Sequence, residues 1–362
     1  MSDRYVRPNV HAMRGYVPGF QPEGPGWIKL NQNESPYPPS PRALEAMAAA
    51  LPSVRTYPES TSRPVREAAA ALWDVEPEMV MVTNGSDEML RILLQGCVGE
   101  QNEVWAFTPS YTYYETLAEI QRARFRLIPL ADDFGLPAEL PSLVKARLVF
   151  LPNPNAQTGT IFSEEEIRRL SAAAPHGLVV IDEAYADFAG VTAMPLVREL
   201  PNLVVTRTLS KSYGLAGLRV GFGVARQELL FDLDKVRDFY DVGVVAQAGA
   251  LAALTDAEHF AETVGRVVRT RGRLVAGLLP LAGRVFPSGG NFVLARFADP
   301  PAREIHAELR ARKILVRWFD HPRLDDCLRI SVGTDEETDA LLAALEEIVG
   351  AAPGPDLTEN DA

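Results

Sequence analysis

The segment from Arg147 to Asp182, RLVFLPNPNAQTGTIFSEEEIRRLSAAAPHGLVVID, decides the architecture. It opens on a short apolar run, RLVFL, and passes through a loop of proline, asparagine and glycine. It then becomes SEEEIRRLSAAA, where Ser163 and Glu166 stand at capping-box spacing for a helix. A second apolar run, GLVVID, follows. Strand, helix and strand in that order predict two parallel strands joined by a crossover helix. The pattern extends outward in both directions, with MVMVT and EVWAF before it and NLVVTRT and RVGFGVA after it. Short apolar strands alternating with helices predict an α/β fold, a mainly parallel sheet covered on both faces.

Beyond that core, residues 240–280 read as helical. Residues 284–350 read as strand, helix, strand, strand, helix, from RVFPSGGNFVLARF to ETDALLAALEEIV, which predicts a smaller α+β domain. The first forty residues are rich in proline, glycine and aromatics and read as an extended arm. A helix is predicted from Pro41 to Leu51, where RALEAMAAAL consists of strong helix formers. The expected organisation is an arm over 1–40, a large domain over 41–275, and a small domain over 276–350 that takes in part of the arm. A disordered tail is expected over 351–362.

Composition narrows the functional class. The chain has 362 residues, enough at about 150 per domain for two units, and 47% of them are hydrophobic. A formal net charge of −12 argues against general nucleic-acid or anionic-membrane binding and leaves room for a local anion pocket. Two cysteines, Cys97 and Cys327, build no disulfide framework, and no metal-type Cys/His spacing occurs. MSDRYVRPNV lacks the apolar centre of a secretory signal, and no run approaches roughly 18 apolar residues. A soluble cytoplasmic enzyme is the expectation. Only five of its 36 basic residues are lysines, at 29, 145, 211, 235 and 313, so few positions can supply a primary amine.

Five segments carry candidate chemistry. In TLSKSYGLAGLRVGFG, a strand runs into a turn bearing Ser210 and Lys211, with Arg219 eight residues after the lysine. A lysine held among small residues suits imine chemistry. GLVVIDEAYADF ends a strand on Asp182, with Tyr185 three residues on, at the edge where parallel sheets bind ligands. VTNGSDEMLRILL joins strand to helix through Gly85, Ser86 and Asp87, an arrangement that suits an anion. LPNPNAQTGTIF places Asn153 and Asn155 in a loop after a strand, and TPSYTYYET offers tyrosine rings for a planar ligand. Each segment alone also reads as an ordinary turn, cap or core aromatic; their order and spacing together do not.

Together with LNQNESPYPPSP, RTYPES, ILVRWFD and CLRISVGTDEETDALLAAL, these segments make the chain resemble the pyridoxal-phosphate-dependent aminotransferases of the aspartate-aminotransferase fold type, over about residues 5 to 350. Within them it is most similar to the histidinol-phosphate branch. The resemblance implies that Lys211 bonds the cofactor aldehyde and later shuttles the substrate's α-proton. It implies that Asp182 pairs with the pyridine nitrogen and that Tyr185 hydrogen-bonds the phenolic oxygen. Gly85, Ser86 and Asp87, with Ser210 and Arg219, would hold the cofactor phosphate. Tyr111 would stack on the pyridine, and Tyr57 would reach the phosphate of the other subunit's cofactor in a homodimer with shared sites. Arg329 would grip a substrate carboxylate and Arg317 the phosphate of histidinol phosphate, with Tyr16 and Asn33 lining the same pocket.

The implied reaction exchanges an amino group between L-histidinol phosphate and 2-oxoglutarate, forming glutamate, in histidine biosynthesis. The alternatives are an aromatic aminotransferase for phenylalanine or tyrosine, a relative that decarboxylates a phosphorylated amino acid, and a binding protein without turnover. One departure stands out. The family reads N-P-N-N-P-T-G at the loop beside the phenolic oxygen, and the chain reads Asn153-Pro154-Asn155-Ala156-Gln157-Thr158-Gly159. With alanine where the contacting asparagine belongs, Asn155 is expected to take over that contact, or Tyr185 to make it alone.

Overall fold

The computed structural model describes residues 5–13, 15 and 19–350. The expected tail, 351–362, and Tyr16 lie outside the described residues. Strand β1 (Ile28–Lys29) belongs to the arm. The apolar runs of the core become β2 (Val80–Thr83), β3 (Glu103–Thr108), β4 (Arg124–Pro129), β5 (Ala146–Pro152), β6 (Leu178–Asp182), β7 (Leu203–Thr208) and β8 (Gly221–Val224). They form one seven-stranded sheet in the order β2-β8-β7-β6-β5-β3-β4. Only β8 runs against its neighbours. The segment between β7 and β8 turns straight back instead of crossing over, with the Leu209 amide bonded to the Val220 carbonyl at 3.0 Å.

Uninterrupted apolarity in these strands follows from burial on both faces. Along β5, Val149 and Leu151 point into one core while Leu148 and Phe150 point into another. In β6, Val179 and Ile181 join the first and Val180 the second. The first core is closed by the helices Arg63–Trp73, Glu164–Ala173 and Val244–Leu254, the second by Ser86–Cys97 and Tyr113–Ile120. The crossover helix Glu164–Ala173 starts on the expected capping box, Ser163 with Glu166. The helix expected over 41–51 runs from Pro41 to Ala50, capped by the Ser40 hydroxyl, and continues as a 3₁₀ turn over Leu51–Arg55.

A second, antiparallel sheet in the order β12-β13-β10-β9 comprises β9 (Arg284–Val285), β10 (Phe292–Arg296), β12 (Arg317–Trp318) and β13 (Cys327–Ser331). The helices Ala257–Leu278, Ala302–Ala311 and Asp335–Gly350 pack on it around a third core. Strand β11 (Ile314–Leu315) pairs in parallel with β1. The end of the arm is therefore a packed element, and not only an extended strap. Leu30, Asn31 and Asn33 are buried, and the Leu30 carbonyl accepts the Ser331 amide at 3.0 Å. Ile28 and Leu30 supply the apolar alternation, which the surrounding prolines and glycines obscure in the sequence.

Candidate active site

All the parallel strands end on one edge of the large sheet, and five of the loops leaving that edge carry the candidate chemistry. Asp182 is the last residue of β6. Lys211 lies three residues after β7, and Arg219 two residues before β8. Ser86 follows β2, Tyr111 follows β3, and Ala156 and Gln157 follow β5. They line one cavity of about 300 Å³, a size suited to a small molecule. Its roof comes from the arm and the second sheet: Gly19, Asn31, Gln32, Arg317, Phe319 and Arg329.

The floor is held by hydrogen bonds of its own. Asp182 is buried, and its Oδ2 accepts the Tyr114 hydroxyl at 2.9 Å and its Oδ1 the Thr206 hydroxyl at 3.2 Å. Burial raises its pKa to about 6, with the nearby Asp87 also raising it and the Tyr114 and Thr206 bonds pulling the other way. Burial likewise pushes the Tyr114 phenol well up. The Tyr114 ring stacks on Phe150 at 4.5 Å, so the second core of the sheet fixes the group that orients Asp182.

At the end of β2, Gly85 takes a positive φ of 86° and caps the helix Ser86–Cys97, whose first turn directs its N–H groups toward the cavity edge. Arg219 meets this turn from β8. Its own φ is 55°, an uncommon conformation for a residue with a side chain. Its guanidinium donates to Ser210 Oγ at 3.3 Å and Asp87 Oδ2 at 3.2 Å, while Tyr111 donates to Asp87 Oδ1 at 3.1 Å. Gly221 lets β8 come this near, because a Cβ there would collide with the backbone of Gly85 and Ser86. Helix N-terminus, hydroxyl and guanidinium converge as an anion site requires.

Lys211 Nζ donates to the Gln32 carbonyl at 3.0 Å and lies 5.7 Å from the centre of the Tyr185 ring. The Tyr185 hydroxyl accepts Asn33 Nδ2 at 3.1 Å. Behind this pair lies a buried ionic network. Arg207 bridges Glu183 at 3.2 Å and Asp187 at 2.6 Å, and Asp187 accepts the Ser212 hydroxyl at 2.5 Å. It braces Tyr185 and Lys211 through their sequence neighbours.

In the roof, Arg329 donates Nη1 to the Ala156 carbonyl at 2.8 Å and Nη2 to the Asn31 carbonyl at 3.2 Å, and its guanidinium lies over Phe292 and Phe319. Arg317, on β12, lies 5.3 Å from the centre of Phe319.

The structure gathers Ser86, Asp87, Tyr111, Asp182, Tyr185, Ser210, Lys211, Arg219, Arg317 and Arg329 around the cavity, with Gly85 and Asn33 one contact behind. Two expected residues stand elsewhere. Asn155 is fully buried and bonded at both ends of its side chain: it donates to the Pro109 carbonyl at 3.1 Å and accepts the backbone amides of Gln157 and Thr158 at 2.9 and 3.1 Å. Its side chain braces the loop across Pro109, Gln157 and Thr158 and is not among the cavity-lining residues. Tyr57 is 81% exposed, stacked on Tyr240 and outside the cavity. Sequence reasoning passed over Tyr114, Thr206 and Thr208; TPSYTYYET offered three tyrosines and nothing local to separate a cavity ring from a buried one.

The sequence profile of the aminotransferase class I and II family matches residues 25–345. The chain belongs to that family. It is 49% identical over 348 residues to a histidinol-phosphate aminotransferase of Geotalea uraniireducens, covering 95% of this chain and 99% of the relative. It is 46% identical over 347 residues to that of Geobacter sulfurreducens, covering 94% and 99%. Among solved structures, the histidinol-phosphate aminotransferase of Sinorhizobium meliloti in complex with pyridoxal-5'-phosphate superposes with a TM-score of 0.86 at 27% identity, covering 96% of this chain and 98% of that one. The aminotransferase fold explains why the chemistry collects at the carboxyl edge of the large sheet, under a roof built by the second.

Proposed function

We propose that this aminotransferase moves an amino group between L-histidinol phosphate and 2-oxoglutarate, using pyridoxal 5'-phosphate, as a cytoplasmic homodimer of histidine biosynthesis. The observation that carries the reading is one cavity with a lysine amine, a buried carboxylate, an anion cradle and two roof arginines. Support for the substrate comes from the names of relatives at 46–49% identity.

The residues fit the cofactor. Ser86, Asp87, Ser210 and Arg219 would hold its phosphate, and Lys211 its aldehyde carbon. Asp182 would pair with its ring nitrogen, Tyr185 would face its phenolic oxygen, and Tyr111 would cover its ring. Bound there, the cofactor supplies a carbonyl for the substrate amine and a ring that accepts the electrons left when the α-carbon loses its proton.

The chain's own groups do the rest. Lys211, the one lysine lining the cavity among the described residues, takes the α-proton on Nζ and returns it. Asp182, once opposite a ring cation, stays ionised despite its burial and keeps that cation protonated. The Tyr185 hydroxyl already accepts from Asn33, so its own proton is free to donate. Arg329 would take the carboxylate of glutamate, and Arg317 the phosphate of histidinol phosphate. Placing one acidic group of each donor on a guanidinium lets two dissimilar molecules use one site in turn. Tyr57, exposed beside Leu51 and Val54, would serve the cofactor phosphate of a second copy.

A direct test supplies purified protein with both reactants. Glutamate should form in equal amounts to the histidinol phosphate consumed, with parallel double-reciprocal lines. Activity confined to phenylalanine and tyrosine would transfer the assignment to aromatic transamination.

A further inference from the structure

Two side chains in the cavity wall have an end that nothing uses. Gln157 and Asn31 both line the cavity and are 7% and 4% exposed. Among the described residues, Gln157 Oε1 and Asn31 Oδ1 are buried without a hydrogen-bond partner. The Gln157 backbone N–H donates to Asn155 Oδ1 at 2.9 Å, which holds its main chain at the cavity wall. Asn31 Nδ2 donates to the Phe20 carbonyl at 2.9 Å, which settles that its oxygen is the unused end. Arg329 ties the two segments together through the carbonyls of Asn31 and of Ala156, the residue before Gln157.

A buried acceptor without a donor is unfavourable, and a ligand that supplies the donor removes the penalty. Phosphate and carboxylate oxygens cannot do so, since they are acceptors themselves, and the cavity meets them with Lys211, Arg219, Arg317 and Arg329. The substrate amine would be used at the reacting carbon, and Asp182 would meet the ring N–H of the cofactor. What remains among the reactants of the function proposed above is the N–H of the imidazole. We propose that Gln157, with Asn31 beside it, reads the imidazole ring of the amino donor by accepting its N–H. A phenyl ring leaves both oxygens unpaired, so this pair selects azole over aromatic donors. Gln157 stands where the family's pattern has proline, which has no side-chain acceptor to offer.

The experiment compares histidinol phosphate with phenylalaninol phosphate, which differs only in the ring. The wild-type holoenzyme should prefer the azole in kcat/KM by about tenfold or more, the effect of one hydrogen bond to a buried group. Gln157→Leu should bring the two within about threefold, chiefly by losing the azole. Gln157→Met, closer in shape, should do the same, and Gln157→Glu, which keeps an acceptor, should retain the preference. Dissociation constants of both phosphates, measured by calorimetry on Lys211→Ala holoenzyme with and without Gln157→Leu, should move in parallel without any turnover. A wild-type ratio retained in Gln157→Leu or Gln157→Met overturns the inference, as does a wild-type enzyme that converts both phosphates equally. A wild-type enzyme that converts neither phosphate overturns the substrate reading as well.

Discussion

The floor and the roof of the cavity are built on opposite plans. In the floor the groups beneath the ligand site already have protein partners: Asp182 has Tyr114 and Thr206, Ser210 accepts from Thr208 at 2.9 Å, and Arg219 has Ser210 and Asp87. These groups sit on strand ends and are fixed by the packed sheet beneath, as in the Tyr114–Phe150 stack. The roof comes from short strands and the arm, and there Asn31 keeps an unpaired oxygen; Gln157, on the loop after β5 where the floor meets the roof, keeps another. A floor whose groups are already held by hydrogen bonds suits a group that stays through every cycle. A roof with spare hydrogen-bonding capacity suits reactants that alternate. Binding and chemistry are thus divided between two sheets.

Breaking the floor should cost most. Lys211→Ala should lower turnover by about 10⁴-fold while cofactor still binds, checked by single-turnover kinetics and cofactor fluorescence. Asp182→Asn should lower turnover by about 10²-fold or more with the melting temperature little changed, since the amide keeps the shape and loses the charge. Breaking the roof should be selective. Arg317→Ala should cut kcat/KM for histidinol phosphate by about 10- to 100-fold, the loss of a charged hydrogen bond, and leave glutamate nearly untouched. Equal damage to both donors would show that Arg317 does not read the phosphate.

The raised Asp182 pKa gives the floor a pH signature. Above about 6 the carboxylate of the cofactor-free protein is charged and ready for the ring nitrogen; below it the carboxyl is protonated and must give up that proton on binding. Cofactor affinity should therefore fall as pH drops through 6, by up to about tenfold per unit, and Asp182→Asn should abolish the dependence. The smallest effect is expected at Tyr57. Its change to Phe should weaken cofactor retention about fivefold, and dilution to monomers should remove the difference.

The two regions were also unequally legible in the sequence. Apolar runs such as LVFL and LVVI mark strands buried on both faces, so the floor residues at their ends could be placed by counting. The roof depends on contacts far apart in the chain. The pairing of Ile28 with Ile314 and the Arg329 bonds to Asn31 and Ala156 leave no local pattern. Asn155 shows the limit most clearly. Its position suggested a cofactor contact, and only the fold shows its side chain bonded to Pro109, Gln157 and Thr158. Gln157 was visible as a departure from the family's loop, but its unpaired oxygen was not.

The central claim, an amine-transfer floor beneath a roof that selects histidinol phosphate, is tested most directly by a half-reaction titration of the purified holoenzyme. The absorption of the lysine-bound cofactor is followed as single amino donors are added without 2-oxoglutarate: histidinol phosphate, phenylalanine, tyrosine, glutamate and phosphothreonine. The account predicts conversion by histidinol phosphate at concentrations at least about tenfold below those of phenylalanine, a preference of about 1.4 kcal/mol. Conversion by phenylalanine or tyrosine at the lower concentrations would contradict it, leaving the chemistry of the floor in place and removing the selectivity assigned to the roof.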